Sequence, residues 1–187
     1  MKKLSFILSA SLLLSGCAYH FTALKRHIPG GYDRVAVPMF KNKTFETGIE
    51  SYFTAAMIEE LERDHFAKVT SRDDAQVVLE GDITSVYYGA GAQNLDVVLD
   101  SSHRDVSLAN EYRIYVNASL RLVRVSDQKV LWSGGFNGEK QYPAPQMTIE
   151  GLDTSDVTYN HSARMDNIKL LARDMMIQAH INMTENF

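Results

Sequence analysis

The chain reads as an α+β fold, a two-layer sandwich. Its sheet is mostly antiparallel or mixed, four- to five-stranded, with two main helices on one face. Three observations carry this. Tyr112, Ile114, Val116, Ala118, Leu120 and Leu122 alternate with Arg113, Tyr115, Asn117, Ser119 and Arg121, the signature of a half-buried strand with one wet face. Two segments, one after Thr47 and one after Asp156, place apolar residues at helical spacing. These segments bracket the main run of strands. Both stripes bury together only if both helices lie on the same side of the sheet.

The elements follow in order. Pro29-Gly30-Gly31 is a turn signal, and residues 18–33 read as a tether and entry turn. Arg34 to Phe40 reads as a strand with Val35, Val37 and Met39 on one face. Pro38 has no N–H, so the strand lies at an edge or ends near it. Thr47 and Glu50 form a capping box for a helix running to about Arg63. Ile49, Phe53, Ala56, Met57 and Leu61 line its inner side, and Glu59, Glu60 and Glu62 face water. Phe66 to Thr70 is a short strand, and Ala75 to Tyr88 a long one with Val77, Leu79, Gly81 and Ile83 on one face. Gly81 weakens a strand, so it marks a bulge or close packing against a helix. A long connection runs from Gly89 to Asn110, with a short strand at Leu95 to Leu99. Ser126 to Lys129 is the turn of a hairpin whose second strand is Val130 to Phe136. Trp132, the sole tryptophan, belongs to the packing of that hairpin. Tyr142-Pro143-Ala144-Pro145 breaks regular structure. The last helix starts between Asp156 and Asn160 and runs to about Met183, with Ile168, Leu171, Ala172, Met175 and Ala179 as its stripe. The open sheet face, carrying Arg113, Tyr115, Asn117, Ser119 and Arg121, is where binding is expected.

Composition bounds the chemistry. The 187 residues carry 19 Lys+Arg against 23 Asp+Glu, a net charge of −4. No basic run or patch suited to nucleic acid is present in the sequence. The six histidines fall in no metal-ligand spacing and read as surface residues. There is no Gly-x-Ser-x-Gly elbow and no phosphate loop; the glycines at 89 and 91 lack the dinucleotide spacing. The sequence therefore predicts no catalytic residues, no cofactor and no metal: the protein is not an enzyme.

The amino terminus points elsewhere. Lys2 and Lys3 precede an apolar stretch from Leu4 to Leu14, then Ser15, Gly16 and Cys17, the only cysteine. A basic start, a short apolar run and small residues make a secretory signal peptide. The run is too short to cross a bilayer. Leu14-Ser15-Gly16-Cys17 resembles a bacterial lipobox, in which the thiol is acylated before cleavage. The expected organisation is a cleaved leader over residues 1–16, a lipid anchor and tether over 17–33, and a single periplasmic domain over 34–187. Several acyl chains on Cys17 give permanent attachment where one does not. Loss of Lys2 and Lys3 leaves a mildly acidic mature chain. In the Gram-negative lipoproteins that this leader resembles, Asp after the cysteine retains the protein in the inner membrane. Ala18 therefore favours the outer membrane, with the body facing the periplasm.

Beyond the leader, the chain carries Cys17-Ala18-Tyr19-His20-Phe21, then Val35 through Glu46, Gly48-Ile49-Glu50, Phe53-Thr54 and Asp74-Ala75. Leu79-Glu80-Gly81-Asp82-Ile83, Glu111-Tyr112-Arg113 and Val130-Leu131-Trp132 follow. In order and spacing this succession resembles the LPS-assembly lipoproteins of the LptE family. The resemblance implies a non-enzymatic protein that plugs the lumen of a large outer-membrane β-barrel (LptD-like), assists its assembly, and binds lipopolysaccharide on its way to the outer leaflet. Lipopolysaccharide phosphates call for cations, bidentate arginine above all. Arg104, Arg113, Arg121, Arg124 and Lys129 are the candidates by position on the sheet face and its loops. A strand reading Val-Ala-Val-Pro-x-Phe-x-Asn before a helix also resembles lipoproteins of the curli-secretion and penicillin-binding-protein-activator type, which form pores or activate a synthase. A cell-wall or glycan hydrolase is the third reading, and it requires a cleft with paired carboxylates.

Overall fold

A computed structural model describes residues 27–90, 93–94, 108–109, 111–143, 147–149, 152–154 and 157–185. Strands β1 (Arg34–Ala36) and β2 (Lys41–Asn42) precede helix α1 (Ile49–Asp64) and strand β3 (Lys68–Val69). Three long strands follow: β4 (Val77–Ala90), β7 (Glu111–Arg124) and β8 (Val130–Pro143), each of 14 residues. Between β4 and β7, β5 (Gln93–Asn94) pairs antiparallel with β6 (Leu108–Ala109). After β8, β9 (Met147–Ile149) pairs with β10 (Leu152–Thr154), and α2 (Val157–Glu185) closes the chain. The main sheet has six strands in the order β3-β1-β4-β7-β8, with β2 also on β4. β1, β2 and β3 join in parallel, and the long strands pair antiparallel, so the sheet is mixed.

The core confirms the two-layer reading. Ile114, Val116, Ala118, Leu120 and Leu122 are buried, while Ser119 and Arg121 are exposed. Both helices pack on that buried side; Ile49, Phe53, Met57 and Leu61 of α1 meet Ile168, Leu171, Ala172, Met175, Met176 and Ala179 of α2 in one cluster. Gly138 admits α2 closely: a Cβ there would lie 2.7 Å from Leu171 Cδ1. Trp132 packs beside Phe136, ring centroids 6.1 Å apart, as its hairpin role required. Among the described residues no helix is long and apolar enough to cross a membrane.

Several expectations are corrected. The first strand ends at Ala36 instead of reaching Phe40. Pro38 stops the pleat, the side-chain parity shifts, and Phe40 is buried while Met39 is 61% exposed. Phe40 is tied down by its N–H, which donates to Thr54 Oγ1 at 3.0 Å. The capping box does not form. Gly48 is the N-cap, at φ 88°, without a side-chain cap. Thr47 is exposed, and the Glu50 carboxylate instead accepts from Asn42 Nδ2 at 2.8 Å. Gly81 does mark close packing, but against Phe40 and not a helix: a Cβ would lie 2.4 Å from the ring. The β4 irregularity falls later, between Ile83 and Ser85.

Glu60 does not face water. It is 1% exposed, and Arg63 on the same helix donates to its carboxylate at 2.8 Å. Burial pushes its carboxyl above the ordinary range, against the pull of Arg63. His180 is likewise buried instead of lying on the surface. It stacks on Phe66, and its Nδ1 lies 3.4 Å from Asp64 Oδ2. β8 continues through Tyr142, which is buried, to Pro143, so the break comes later than the prolines suggested. The short strand expected at Leu95 to Leu99 lies outside the described residues.

Candidate binding face

The helix-free side of β4, β7 and β8 is the open surface. Pairing registers place Glu80 beside Arg121, Asp82 beside Ser119, Ser85 beside Asn117, and Tyr87 beside Tyr115. Across the other junction Tyr115 faces Glu139, Asn117 faces Asn137, and Arg121 faces Ser133. The surface is rich in hydroxyls and amides. Asn117 Nδ2 donates to Ser85 Oγ at 2.7 Å, and Tyr87 and Tyr115 sit with centroids 6.0 Å apart. Tyr87 is 54% exposed.

The cations of this face are neutralised in place. Arg121 Nε lies 2.7 Å from Glu80. Arg113 reaches Glu111 at 3.3 Å and Glu139 at 3.2 Å. Hydrogen bonding to Tyr115, then to Glu111, raises its already high pKa further. Lys43 lies 3.3 Å from Asp82. Arg124 lies on the other side of β7, in register with buried Val77; it stands 2.9 Å from Asp127 and donates to the Tyr32 hydroxyl at 3.2 Å, and these two partners, Tyr32 first, raise its pKa. The Lys129 N–H, followed by Arg124, holds the Asp127 carboxyl below its ordinary value.

The sequence-derived candidates therefore do not form one cluster. Arg113 and Arg121 stand at opposite ends of β7, roughly 27 Å apart at 3.4 Å per residue. Arg124 and Lys129 share the β7–β8 hairpin with Arg121 nearby. Among the described residues the Lys129 ammonium makes no ion pair. Cys17 and Arg104 lie outside the described residues.

A second grouping at the far end of the sheet escaped sequence reasoning. Arg164 of α2 sits 5.1 Å over the Tyr88 ring, 3.7 Å from Glu46, and within 2.9 Å of His161 Nδ1. Burial and the Glu46 carboxylate push the Tyr88 hydroxyl up. These residues come from three separate elements, so no local spacing announces them. They clamp the β2–α1 connection against β4 and α2. Among the described residues no group of acids, histidines or cysteines is arranged to hold a metal.

The sequence profile of the lipopolysaccharide-assembly (LptE) family matches residues 32–182. The chain belongs to the LptE family. The match spans β1 to the last turn of α2, so the whole sandwich is the family's domain. Among solved structures, a PelC dodecamer from Paraburkholderia phytofirmans is 15% identical, with a TM-score of 0.51 over 85% of this chain and 93% of that one. That likeness supports the fold alone. A putative lipoprotein from Caulobacter crescentus is 14% identical, covering 79% of this chain and 88% of that one, with a TM-score of 0.46. A minor lipoprotein from Acinetobacter baumannii is 10% identical, covering 83% and 92%, with a TM-score of 0.49. No protein among the curated ones matches this chain. Membership of the LptE family places this protein among those of lipopolysaccharide assembly.

Proposed function

We propose that this LptE-family protein is a non-enzymatic plug of a large outer-membrane β-barrel of the LptD kind, assisting its assembly and the passage of lipopolysaccharide. Acylation of Cys17 after removal of residues 1–16, with 17–33 as anchor and tether, belongs to the same proposal. The observation that supports it best is the open face. Strands of 14 residues run about 46 Å at ~3.3 Å per residue, far longer than the usual 5–6 residues. That exceeds the ~25 Å apolar band of a membrane barrel. A barrel lumen is polar, and this face offers it amides, hydroxyls and already paired charges. A tether adds effective concentration without new contacts. Lipopolysaccharide phosphates would meet Lys129 directly. They would engage Arg113, Arg121 or Arg124 by exchange with carboxylates, a small cost because exposed ion pairs contribute little. Arg104 completes the proposed cation set.

The LptE-family match favours this reading over the curli-secretion and synthase-activator alternative. Purification of the acylated, tagged protein from mild-detergent membranes tests it. One large outer-membrane β-barrel at one-to-one stoichiometry is the expected companion. A peptidoglycan synthase, or self-assembled rings without a barrel, overturns it.

A further inference from the structure

Two neighbouring cations, like Lys129, stand outside the pattern of neutralised charge. Parallel pairing of β1 with β3 sets Arg34 directly beside Lys68. Val35 and Val69 turn toward the main core, so Arg34 and Lys68 share the helix-free side of the sheet. Both are exposed. Like charges on adjacent strands are destabilising. Among the described residues neither forms an ion pair, in contrast to Lys43, Arg113 and Arg121 on the same side. Arg72 is exposed in the turn just beyond β3. Asp33 and Asp73 flank the pair, and neither reaches a cation within ion-pair distance among the described residues; Asp74 accepts instead from Ser71 at 3.0 Å.

The chain also enters the fold here. The Asp33 and Arg34 amides both donate to Gln76 Oε1, at 3.1 and 3.2 Å. Ile28 is already buried. From Cys17 to Ile28 the chain spans at most about 40 Å when fully extended. A lipid on Cys17 therefore keeps this corner within about 40 Å of the bilayer, in reach of its surface. We propose that Arg34 and Lys68 form a docking patch for the phosphate headgroups of an anionic bilayer. The patch resolves the repulsion between the two cations by placing phosphates between them. The proposal rests on acylation of Cys17; the patch lies on the edge strands β1 and β3, beside the β4, β7 and β8 surface assigned to the barrel.

The test uses the mature protein in vesicles of phosphatidylcholine, with and without phosphatidylglycerol, and reads lysine acetylation by mass spectrometry. Lys68 is expected to label about fivefold more slowly on the anionic vesicles. Exposed Lys169, on α2, is the internal control that holds its rate. Arg34→Gln is expected to remove most of the Lys68 slowing, and high salt all of it. Equal Lys68 rates on the two vesicles overturn the proposal. Slowing by inorganic phosphate on phosphatidylcholine vesicles also overturns it, in favour of a free-anion site. The mass of the Cys17 peptide reports acylation separately, so failure of the anchor and failure of the patch are told apart.

Discussion

Replacing Cys17 by alanine is expected to leave the protein unacylated and outside the outer membrane. Cys17 carries the only thiol of the chain, the group the proposed lipobox acylates before cleavage, and each buried CH₂ of an acyl chain contributes about 0.8 kcal/mol to anchoring. Losing several chains removes tens of methylenes at once, so the expected shift is from full retention to none. Membrane fractionation with metabolic palmitate labelling measures it. Unchanged retention and continued label in the variant would reject the lipoprotein organisation of residues 1–33. The folded domain is unaffected in this variant, because the described core begins at Ile28.

The largest effect on stability is expected at Gly81. It pairs with Leu120 in the middle of the β4–β7 ladder, and the Phe40 ring lies across its Cα. A Cβ would sit 2.4 to 2.6 Å from three ring atoms, so the whole ring must move. The ring is 3% exposed and packed in the main core. Gly81→Val is therefore expected to cost about 3 kcal/mol, at the upper end of overpacking. Urea unfolding measures the loss. Combining it with Phe40→Ala, which opens the space, should recover part of it, so the two losses do not add. Full additivity would show that the ring and the glycine do not meet.

Much of this architecture is visible in the residues because each signal is local and repeated. Eleven alternating positions from Tyr112 to Leu122 leave one register, and β7 takes it. The stripes of both helices survive intact because a 3.6 period over several turns outweighs single exceptions. The failures share a physical cause, which is that the deciding partner is distant in sequence. Met39 and Phe40 exchange places because Pro38 ends the pleat and Thr54, on a later helix, captures the Phe40 amide. Glu60 looks like part of a wet acidic face, yet it is enclosed and held by Arg63. Thr47 has the right spacing for a cap, but Asn42 takes the Glu50 carboxylate first.

The binding face shows the same division. Its location follows from the alternation of β7, whereas its charge state does not. Glu80 and Glu139 are 41 and 26 positions from Arg121 and Arg113 in the chain's hydrogen-bond pairs, and only the strand registers bring them together. Arginines that read as free phosphate ligands are thus already partnered. Arg34 and Lys68, unremarkable in sequence, become neighbours through a parallel pairing that crosses α1.

The most direct test of the plug account is site-specific photo-crosslinking in intact cells, with a benzophenone side chain introduced at Asn137, Asn117 or Tyr87. These positions lie on the three long strands of the open face. The account predicts a crosslink from each to one large outer-membrane β-barrel. A barrel that co-purifies with the protein but crosslinks from none of the three would contradict the assignment of this face to the lumen wall.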